Sequence, residues 1–262
     1  MTNPFRILAE RMSRNISFSA RLPKKFGRRK IYLSPANQLA IWKPGEAKFQ
    51  AYLLGFAERF IGKDDIVWDI GANMGMFGVP AAHRAKSVLA VEPDPFNQQL
   101  LHKTRAANPD LALEVLPVAV SNEVGVAQFA IPERGRSANS LVATSFGTQI
   151  GGTRQHYSVI TVTADWILER YAAPDFVKID AEGAELWILQ GAHKLLSQAR
   201  PVIIVEMPNE HANGCADIFR THDYMMFSSY IPVDPAKAVD DIHDVWDVLA
   251  IPRDKIERYR NA

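Results

Sequence analysis

From residue 66 onward, short apolar runs alternate with segments in which apolar residues recur every three or four positions. Runs of the first kind predict strands, and segments of the second kind predict helices. Such alternation favours an α/β domain with a mostly parallel sheet and helices on both faces. The pattern predicts strands over residues 66–70, 87–91, 111–120, 157–162, 175–179, 202–206, 224–228 and 245–251, a hairpin arm over 125–131, and helices over 75–86, 95–107, 164–171, 184–196 and 211–220.

The first predicted strand runs into a glycine-containing turn, in the segment VWDIGANMG. Gly71 and Gly75 allow a tight turn and a close approach of the backbone to a ligand, and Asp69 stands just before them. Twenty-one residues after Gly71, the second strand ends at Glu92. An acidic residue at about that distance commonly accepts the ribose hydroxyls of an adenosine cofactor. Together these residues indicate a nucleotide site at the carboxyl ends of the strands.

Two classes of cofactor compete for this site. A dinucleotide site uses the spacing G-x-G-x-x-G and rests a pyrophosphate on helix N–H groups. Here Gly71 and Gly75 are separated by three residues, and Asp69 would face a pyrophosphate badly. A carboxylate suits a ligand with an ammonium and a sulfonium group. We therefore expect S-adenosylmethionine, with Asp69 near its amino group, directly or through water, and Glu92 at its ribose. The alternative is that Asp69 only caps the strand end.

The charged stretch KIDAEGAE lies between an apolar strand and an apolar helix. Glu185 is predicted to be a first-turn acid that complements the helix dipole. That role does not explain Asp180, an acid on the final residue of the strand. Alternation along a strand places Lys178 on the same side as Asp180. Asp180, Glu182 and Lys178 are therefore the candidate catalytic residues.

Six segments occur in the order seen in FkbM-type S-adenosylmethionine-dependent methyltransferases: VWDIGANMG, VEPDP, PVAVSNEVG, VTADWI, FVKIDAEGAELWILQGA and IIVEM. The chain resembles this family over about residues 66–230, and it departs from the usual pattern at Ala164. The resemblance implies a class I methyltransferase Rossmann-like fold. Its seven-stranded, mostly parallel sheet has an antiparallel last strand and helices on both faces. Characterised members O-methylate hydroxyls on sugars and polyketide macrolides.

The resemblance also implies roles for individual residues. It places Asp180 and Glu182 at the tip of the fourth strand, beside the methyl group that is transferred. It assigns to the cofactor the residues Asp69, Gly71, Asn73, Gly75 and Glu92, with Ala119 and Val120 near the adenine.

Methyl transfer to a hydroxyl is an in-line displacement, so the protein must mainly align the nucleophile and remove its proton. Asp180 or Glu182 suits the general base, because burial and a neighbouring carboxylate raise the pKa of a carboxyl. His156, His193 and His211 are rival bases.

The end of the next strand suggests two further kinds of site. Glu206 and His211 are candidates for binding the hydroxyls of the acceptor. Asp180, Glu206 and Asn209 carry hard oxygen ligands of the kind that Mg²⁺ takes, so a divalent metal is an alternative to catalysis without metal.

Length, charge and cysteine content exclude several classes of protein. The chain has 262 residues, a formal net charge of +1 and a single cysteine, Cys215. One cysteine cannot form an internal disulfide and favours a reducing compartment such as the cytoplasm. The sequence has no apolar run of about 18 residues and no secretory signal pattern, so we expect neither a transmembrane helix nor export.

The N-terminal segment is strongly basic. Residues 1–30 contain nine Lys and Arg against Glu10 alone, a net charge of +8. Phe5, Leu8 and Met12 would share one face of a short helix. We expect a basic extension over residues 1–50 and a methyltransferase domain over 51–262. The extension suits peripheral contact with an anionic membrane, such as its inner face, or with a phosphate-bearing substrate. An organelle transit peptide and a loosely packed, solvated extension are the alternatives.

The expected acceptor is a small molecule or glycan with a hydroxyl, such as a sugar, a lipid-linked glycan or a polyketide. The long polar loop over residues 134–152 is expected to contact it. A nucleic-acid methyltransferase is an alternative that the basic segment encourages, but KIDAEG stands where an Asn/Asp-Pro-Pro-aromatic signature would be needed. A binding module for S-adenosylmethionine without turnover is a second alternative, and a dehydrogenase a third.

Overall fold

The strands and helices alternate as predicted in a computed structural model, which describes residues 16–37, 39–133, 136, 139–142 and 152–260. The strands are β1 (Phe18–Arg21), β2 (Lys30–Leu33), β3 (Ile66–Ile70), β4 (Ser87–Val91), β5 (Leu113–Leu116), β6 (Ala119–Val120), β7 (Gly125–Pro132), β8 (Ser140–Leu141), β9 (Thr153–Val162), β10 (Phe176–Ile179), β11 (Val202–Glu206), β12 (Tyr224–Ser228) and β13 (Asp247–Pro252). The helices are α1 (Ala51–Phe60), α2 (Gly78–Arg84), α3 (Pro95–Ala106), α4 (Ala164–Leu168), α5 (Glu185–Gln190), α6 (Ala212–Thr221) and α7 (Ile256–Tyr259).

A seven-stranded sheet forms the centre of the fold, in the order β12-β13-β11-β10-β3-β4-β5. Five neighbouring strands of this sheet, β11, β10, β3, β4 and β5, pair in parallel. In contrast, β13 is antiparallel to both of its neighbours, β11 and β12. The predicted mostly parallel sheet with an antiparallel last strand is confirmed.

Both faces of this sheet are covered. Val67 and Val88 belong to an apolar cluster that includes residues of α1, α2 and α3. Their neighbours Trp68 and Leu89 belong to a second cluster, with residues of α4, α5 and α6. Because successive side chains of a strand point to opposite faces, the apolar runs of the sequence fill two cores at once. This explains why these strands are continuously apolar rather than alternating.

The hairpin predicted around residues 122–123 is wrong. The strand predicted over 111–120 is divided at Pro117 into β5 and β6, because proline has no N–H to donate to a ladder. β6 then pairs in parallel with β9, and β7 pairs with β9 and β8 in a separate four-stranded sheet. Pairing with a distant strand therefore displaced the local hairpin.

Three helices are shorter than predicted by three residues or more: the one expected over 164–171 ends at Leu168, and a glycine explains the other two differences. The helix expected over 75–86 begins only at Gly78, because the chain is still turning at Gly75, where φ is 88°. The helix expected over 184–196 ends at Gln190. At the next residue, Gly191, an added Cβ would lie 2.5 Å from the carbonyl oxygen of Ser121, so the chain passes too close to its neighbour for a side chain.

Part of the basic N-terminal segment is packed into the fold. β1 and β2 form an antiparallel hairpin, and Phe26 and Ile31 are fully buried in the core. The N–H of Tyr32 donates to the hydroxyl of Thr104 in α3, at 2.9 Å. The short helix predicted near residues 5–12 lies outside the described residues. Within the part of the chain that the structure describes, no helix has the length and apolarity needed to cross a membrane.

Candidate active site

A cavity of about 240 Å³ lies at the carboxyl ends of the central strands. Its wall includes Gly71 after β3, Glu92 after β4, Asp180 after β10 and Glu206 at the end of β11. β3 stands between β4 and β10, so the strand order reverses at this point. Open α/β sheets bind ligands in the crevice at such a reversal, and the cavity lies there as expected.

The turn after β3 forms one wall through its backbone. At Gly71 φ is 75°, and an added Cβ would lie 1.8 Å from the carbonyl oxygen of Asp180. Asn73 has a φ of 53° and also lines the cavity. Gly75 supports the turn from behind, because a Cβ there would lie 2.9 Å from the side chain of Leu101. Glycine is therefore required at position 71 by the close approach of two strand ends.

Glu92 is held by the backbone around it. Its side chain is only 4% exposed. Oε2 accepts a hydrogen bond from the N–H of Asn73 at 2.7 Å, and Oε1 accepts one from the N–H of Asp94 at 2.8 Å. Burial raises the pKa of Glu92 to about 7, although these backbone donors oppose the rise. The carboxyl is fixed at the cavity wall with lone pairs left for a hydroxyl donor.

Part of the cavity wall near β4 is apolar. Ala119 and Val120, which were predicted near an adenine, line the cavity together with Val118, Phe129 and Leu141. All five side chains are buried. Such a slot fits a flat, weakly polar ring.

Lys178, a residue of the cavity wall, is paired with two aspartates. Nζ of Lys178 lies 3.1 Å from Oδ2 of Asp180 and 3.5 Å from Oδ1 of Asp69. Burial alone would lower the pKa of Lys178, but Asp180 and Asp69 outweigh it and raise that pKa. Lys178 therefore stays protonated and orients Asp180; it is unsuited to accept a proton itself.

Asp69 occupies a different place from the one predicted. It is fully buried and does not line the cavity. Neither of its carboxylate oxygens makes a hydrogen bond of ordinary geometry with the described residues. Burial raises its pKa, and Lys178 opposes that rise. The carboxylate of Asp69 faces Lys178 and the start of α2, so it does not border the space for a cofactor directly; a contact with the cofactor amino group through water stays a prediction.

The loop after β10 is arranged by Glu185, the first residue of α5. Oε1 of Glu185 accepts from the N–H of Ala181 at 3.0 Å, and Oε2 accepts from the N–H of Gly183 at 3.0 Å. The predicted helix-start role of Glu185 is confirmed, and it extends to the loop itself. Glu182 has a φ of 50°, and its side chain is exposed at the cavity wall. Desolvation of its carboxyl by the surrounding protein, followed by the charge of Asp180, raises the pKa of Glu182.

A second pair of acids stands beside Asp180. Glu206 and Asp247 are register partners on the antiparallel strands β11 and β13. Burial, followed by the charge of Asp180, raises the pKa of Glu206 to about 8. Burial also raises the pKa of Asp247. Tyr52 of α1 lines the same part of the cavity, and burial, then Asp180, raises the pKa of its phenol. Sequence reasoning found Glu206 but missed Tyr52 and Asp247, which no local motif marks.

Asp180 and Glu206 lie side by side, but Asn209, the third proposed metal ligand, does not join them. The side-chain amide of Asn209 donates to Oδ1 of Asp244 at 3.0 Å, and Asn209 does not line the cavity. Among the described residues, no group of three or more His, Cys, Asp or Glu side chains has the geometry of a metal site. The set Asp180, Glu206 and Asn209 therefore does not fit a metal.

The candidate histidines lie away from the cavity. His211 is buried next to the start of α6, where burial lowers its pKa, and it does not line the cavity. The predicted contact of His211 with an acceptor is therefore not supported. His156 and His193 have exposed side chains and are also absent from the wall.

Two groups of cavity residues were not singled out individually in the sequence, although the loop over residues 134–152, which contains one group, was expected to contact the acceptor. Asn37, from the N-terminal segment, lines the cavity and donates to Oδ1 of Asn97 at 2.9 Å. It also donates to the side-chain oxygen of Asn73. The N-terminal segment thus helps to hold the turn after β3. Asparagine is too common for its role to be read from an isolated position.

The second group comes from the long polar loop. Arg136 and Asn139 line the cavity, and both donate to Oδ2 of Asp94, at 2.5 and 2.7 Å. Asp94 also caps α3 by accepting from the N–H of Phe96. These two loop residues lie at the end of the cavity where Glu92 stands; residues 134–135, 137–138 and 143–151, expected to contact the acceptor, lie outside the described part.

The sheet order and the position of the cavity define a class I methyltransferase Rossmann-like fold. The family model for the methyltransferase FkbM domain matches residues 69–249. The match covers more than half of the chain, and the chain belongs to this family.

Known proteins with sequence or structural similarity include two methyltransferases with an assigned target. Hexuronic acid methyltransferase AglP of Haloferax volcanii is 25% identical over 166 residues, which cover 63% of this chain and 65% of that protein. A 16S ribosomal RNA methyltransferase of T. thermophilus, in complex with AdoMet and guanosine, is 13% identical, with a TM-score of 0.48, over 90% of this chain and 50% of that one. The FkbM methyltransferase of Methylobacillus flagellatus KT is 17% identical, with a TM-score of 0.45, over 82% and 57%. In each case the match spans less than two thirds of the other protein.

Proposed function

We propose that the protein is an S-adenosylmethionine-dependent O-methyltransferase that acts on a hydroxyl of a sugar. One observation carries the proposal: the carboxylate of Asp180, held by Lys178 at 3.1 Å, lines the same cavity as Glu92 and the glycine turn. A carboxylate that can accept a proton and a nucleotide-type site thus share one space.

The end of the cavity near β4 fits the cofactor. Glu92 has the position and the free lone pairs to accept the ribose hydroxyls, and Ala119 and Val120 border the apolar slot for the adenine. The backbone of the turn lines the cavity at Gly71 and Asn73. Gly71 also lies against the carbonyl oxygen of Asp180, so the turn connects the cofactor end of the cavity with the reacting end. When bound, S-adenosylmethionine supplies a methyl group already activated by a sulfonium.

The end near β10 and β11 would align the acceptor and take its proton. Asp180 is the base in this proposal, because it lines the cavity and Lys178 fixes its orientation. Glu182 is the second candidate, exposed in the same wall. General bases at hydrogen-bond distance typically accelerate such reactions by about 10²–10⁴-fold. The larger part of catalysis is the alignment of the two reactants.

A sugar acceptor is supported by the similarity to AglP of Haloferax volcanii, a hexuronic acid methyltransferase. The acids around Asp180 also disfavour a nucleic acid, because binding of nucleic acids depends on neutralising phosphates with Lys and Arg. Among the described residues that line the reacting end of the cavity, the cation is Lys178, which is already paired with Asp180 and Asp69.

The proposal is tested by methyl transfer. The full chain is incubated with tritiated S-adenosylmethionine and fractionated glycans, and the labelled product is identified by mass analysis. We expect label on a sugar oxygen, lost in Asp180→Asn and kept in Asp217→Asn, an exposed acid outside the cavity wall. Label on a base, or a protein with no affinity for S-adenosylmethionine, would contradict the proposal.

A further inference from the structure

A narrow crevice continues from the reacting end of the cavity. It shares Tyr52, Lys178, Asp180 and Glu206 with the main cavity and adds Asp247. The proposed function uses only Asp180, Lys178 and Glu182 of this region. The remaining side chains therefore border the space next to Asp180, into which an acceptor would present its hydroxyl.

Two exposed tyrosines lie beside this crevice: Tyr52 lines it, and Tyr230 contacts its lining residues Phe56 and Asp247. Tyr52 is 38% exposed and Tyr230 is 57% exposed. The buried ring of Phe56 lies between them, with its centroid 5.8 Å from Tyr52 and 6.4 Å from Tyr230. An exposed aromatic face that is held by neighbouring rings offers apolar area at a low cost in conformational entropy. The CH face of a sugar ring is the complementary surface.

Tyr230 is fixed in this position at two points. Its hydroxyl donates to Oδ2 of Asp247, and burial, then Asp247, raises the pKa of the phenol. The guanidinium of Arg59 donates to the carbonyl oxygen of Ser229 at 2.8 Å and so holds the adjacent backbone. The ring is thus ordered before any ligand arrives, which reduces the entropy lost on binding.

The charges of the crevice are one-sided. Asp180, Glu206 and Asp247 are acids, and the nearest cation, Lys178, is already paired with Asp180 and Asp69. Among the described residues that line the main cavity, the other cation is Arg136, which is paired with Asp94 at 2.5 Å. Among the described residues that line the cavity and the crevice, the reacting end thus offers acceptors for hydroxyl donors and no cation besides the paired Lys178.

We infer that these side chains form the acceptor subsite and that the acceptor is an uncharged sugar ring. Its CH face stacks on Tyr230 and Tyr52, and its hydroxyls donate to Glu206 and Asp247. An acidic sugar is disfavoured, because its carboxylate would meet the same negative potential of Asp180 and Asp247 that raises the pKa of Glu206. The inference rests on the proposed function, and the expected acceptor differs from the hexuronic acid of AglP from Haloferax volcanii.

The test compares matched sugars on the full chain saturated with S-adenosylhomocysteine. The probes are the methyl glycosides of glucose, mannose and galactose and the corresponding methyl uronosides, with binding measured by saturation-transfer NMR. We expect at least one neutral glycoside to bind about fivefold or more tighter than its uronoside, a difference of about 1 kcal/mol. Equal or stronger binding of the uronosides would overturn the inference, as would the absence of binding by every neutral probe.

Single variants test the contribution of the Tyr230 ring and that of the Glu206 carboxyl separately. Tyr230→Ala should weaken the neutral glycoside about fivefold or more, whereas Tyr230→Phe keeps the ring and should weaken it less. Trp42→Ala is the control, since Trp42 is equally exposed at 57% but packs on Phe18 of β1, whereas Tyr230 packs on Phe56 and donates to Asp247. At pH 9, where Glu206 is ionised, Glu206→Gln should narrow the preference for the neutral sugar. An unchanged affinity in Tyr230→Ala, or the same loss in Trp42→Ala, would contradict the subsite.

The affinity for the cofactor is measured in the same samples. A protein that binds neither S-adenosylmethionine nor S-adenosylhomocysteine contradicts the proposed function. A protein that binds the cofactor but prefers the uronosides contradicts only the inference about the acceptor.

Discussion

The two ends of the cavity are built in different ways. At the end near β4, the carboxyl of Glu92 is held by the backbone N–H groups of Asn73 and Asp94. At the end near β10, the carboxyls of Asp180, Glu206 and neighbouring acids crowd around one buried ammonium. The first end is ordered by the path of the chain, and the second depends on a balance of side-chain charges.

This difference has a functional consequence. A site made by backbone geometry suits a ligand that is the same in every catalytic cycle. A site made by side-chain charges can be retuned by single substitutions to suit another acceptor, because each acid can be exchanged without changing the course of the chain. Substitutions at the first end should therefore change cofactor affinity, and substitutions at the second should change turnover, stability and pH dependence.

The sharpest separation of the two ends is expected from Asp180→Asn. An amide cannot accept the proton of the acceptor, so turnover should fall by about 10²–10⁴-fold. The dissociation constant for S-adenosylmethionine should stay within about twofold, a change of less than 1 kcal/mol. Calorimetry and methyl transfer on the same sample measure the two quantities. If Glu182→Gln instead causes the larger loss of turnover, Glu182 is the base.

Lys178→Met tests whether the second end is a balanced set of charges. The substitution leaves Asp69 fully buried without its cation, and breaking a buried pair on one side typically costs about 3–5 kcal/mol. Urea unfolding should show this loss, and the double variant with Asp69→Asn should recover part of it. The control is Lys194→Met, whose pair with Glu169 is exposed, where the expected cost is only about 0–1 kcal/mol. Equal losses in Lys178→Met and Lys194→Met would refute a buried charge balance.

Glu92→Ala acts at the first end. It removes the predicted ribose acceptors and leaves the N–H groups of Asn73 and Asp94 without their partner. Each hydrogen bond to a charged group contributes about 1.5–3 kcal/mol, so S-adenosylmethionine should bind about 100-fold more weakly or worse. Glu114→Ala, an exposed acid on β5, should leave the titration unchanged. Wild-type affinity in Glu92→Ala would show that the ribose lies elsewhere.

Sequence reasoning succeeded where local pattern and chain path coincide. The strand bounds 66–70, 87–91, 202–206 and 224–228 are predicted to the residue, because apolar runs with clear ends leave one choice. It failed at the hairpin near 122–123, where a distant strand took the pairing. At the site, Gly71 and Glu92 belong to one motif and were found.

The residues that were missed come from distant segments. Tyr52, Asn37 and Asp247 reach the cavity only through tertiary packing, and no spacing in the chain joins them to Asp180. Asp69 was misplaced for the opposite reason: its motif position was informative, but the sequence alone did not show that its side chain turns to Lys178.

The smallest effect concerns the pH dependence of the second end. Glu206 has an ordinary pKa of 4.5, raised to about 8 by burial and by the charge of Asp180. Between these two pH values the folded state holds a proton that the unfolded state has released, so rising pH lowers the free energy of unfolding until about pH 8. Glu206→Gln removes this titration. The variant should therefore melt at a higher temperature than the wild type at pH 9, by about 2–4 °C if the gain is about 1 kcal/mol, and the difference should fade toward pH 5. Thermal scans across this range measure it, with Glu114→Gln as the exposed control. A melting difference that does not vary with pH would mean that the pKa of Glu206 is not raised in the folded protein. The charges at this end of the cavity would then not interact as proposed.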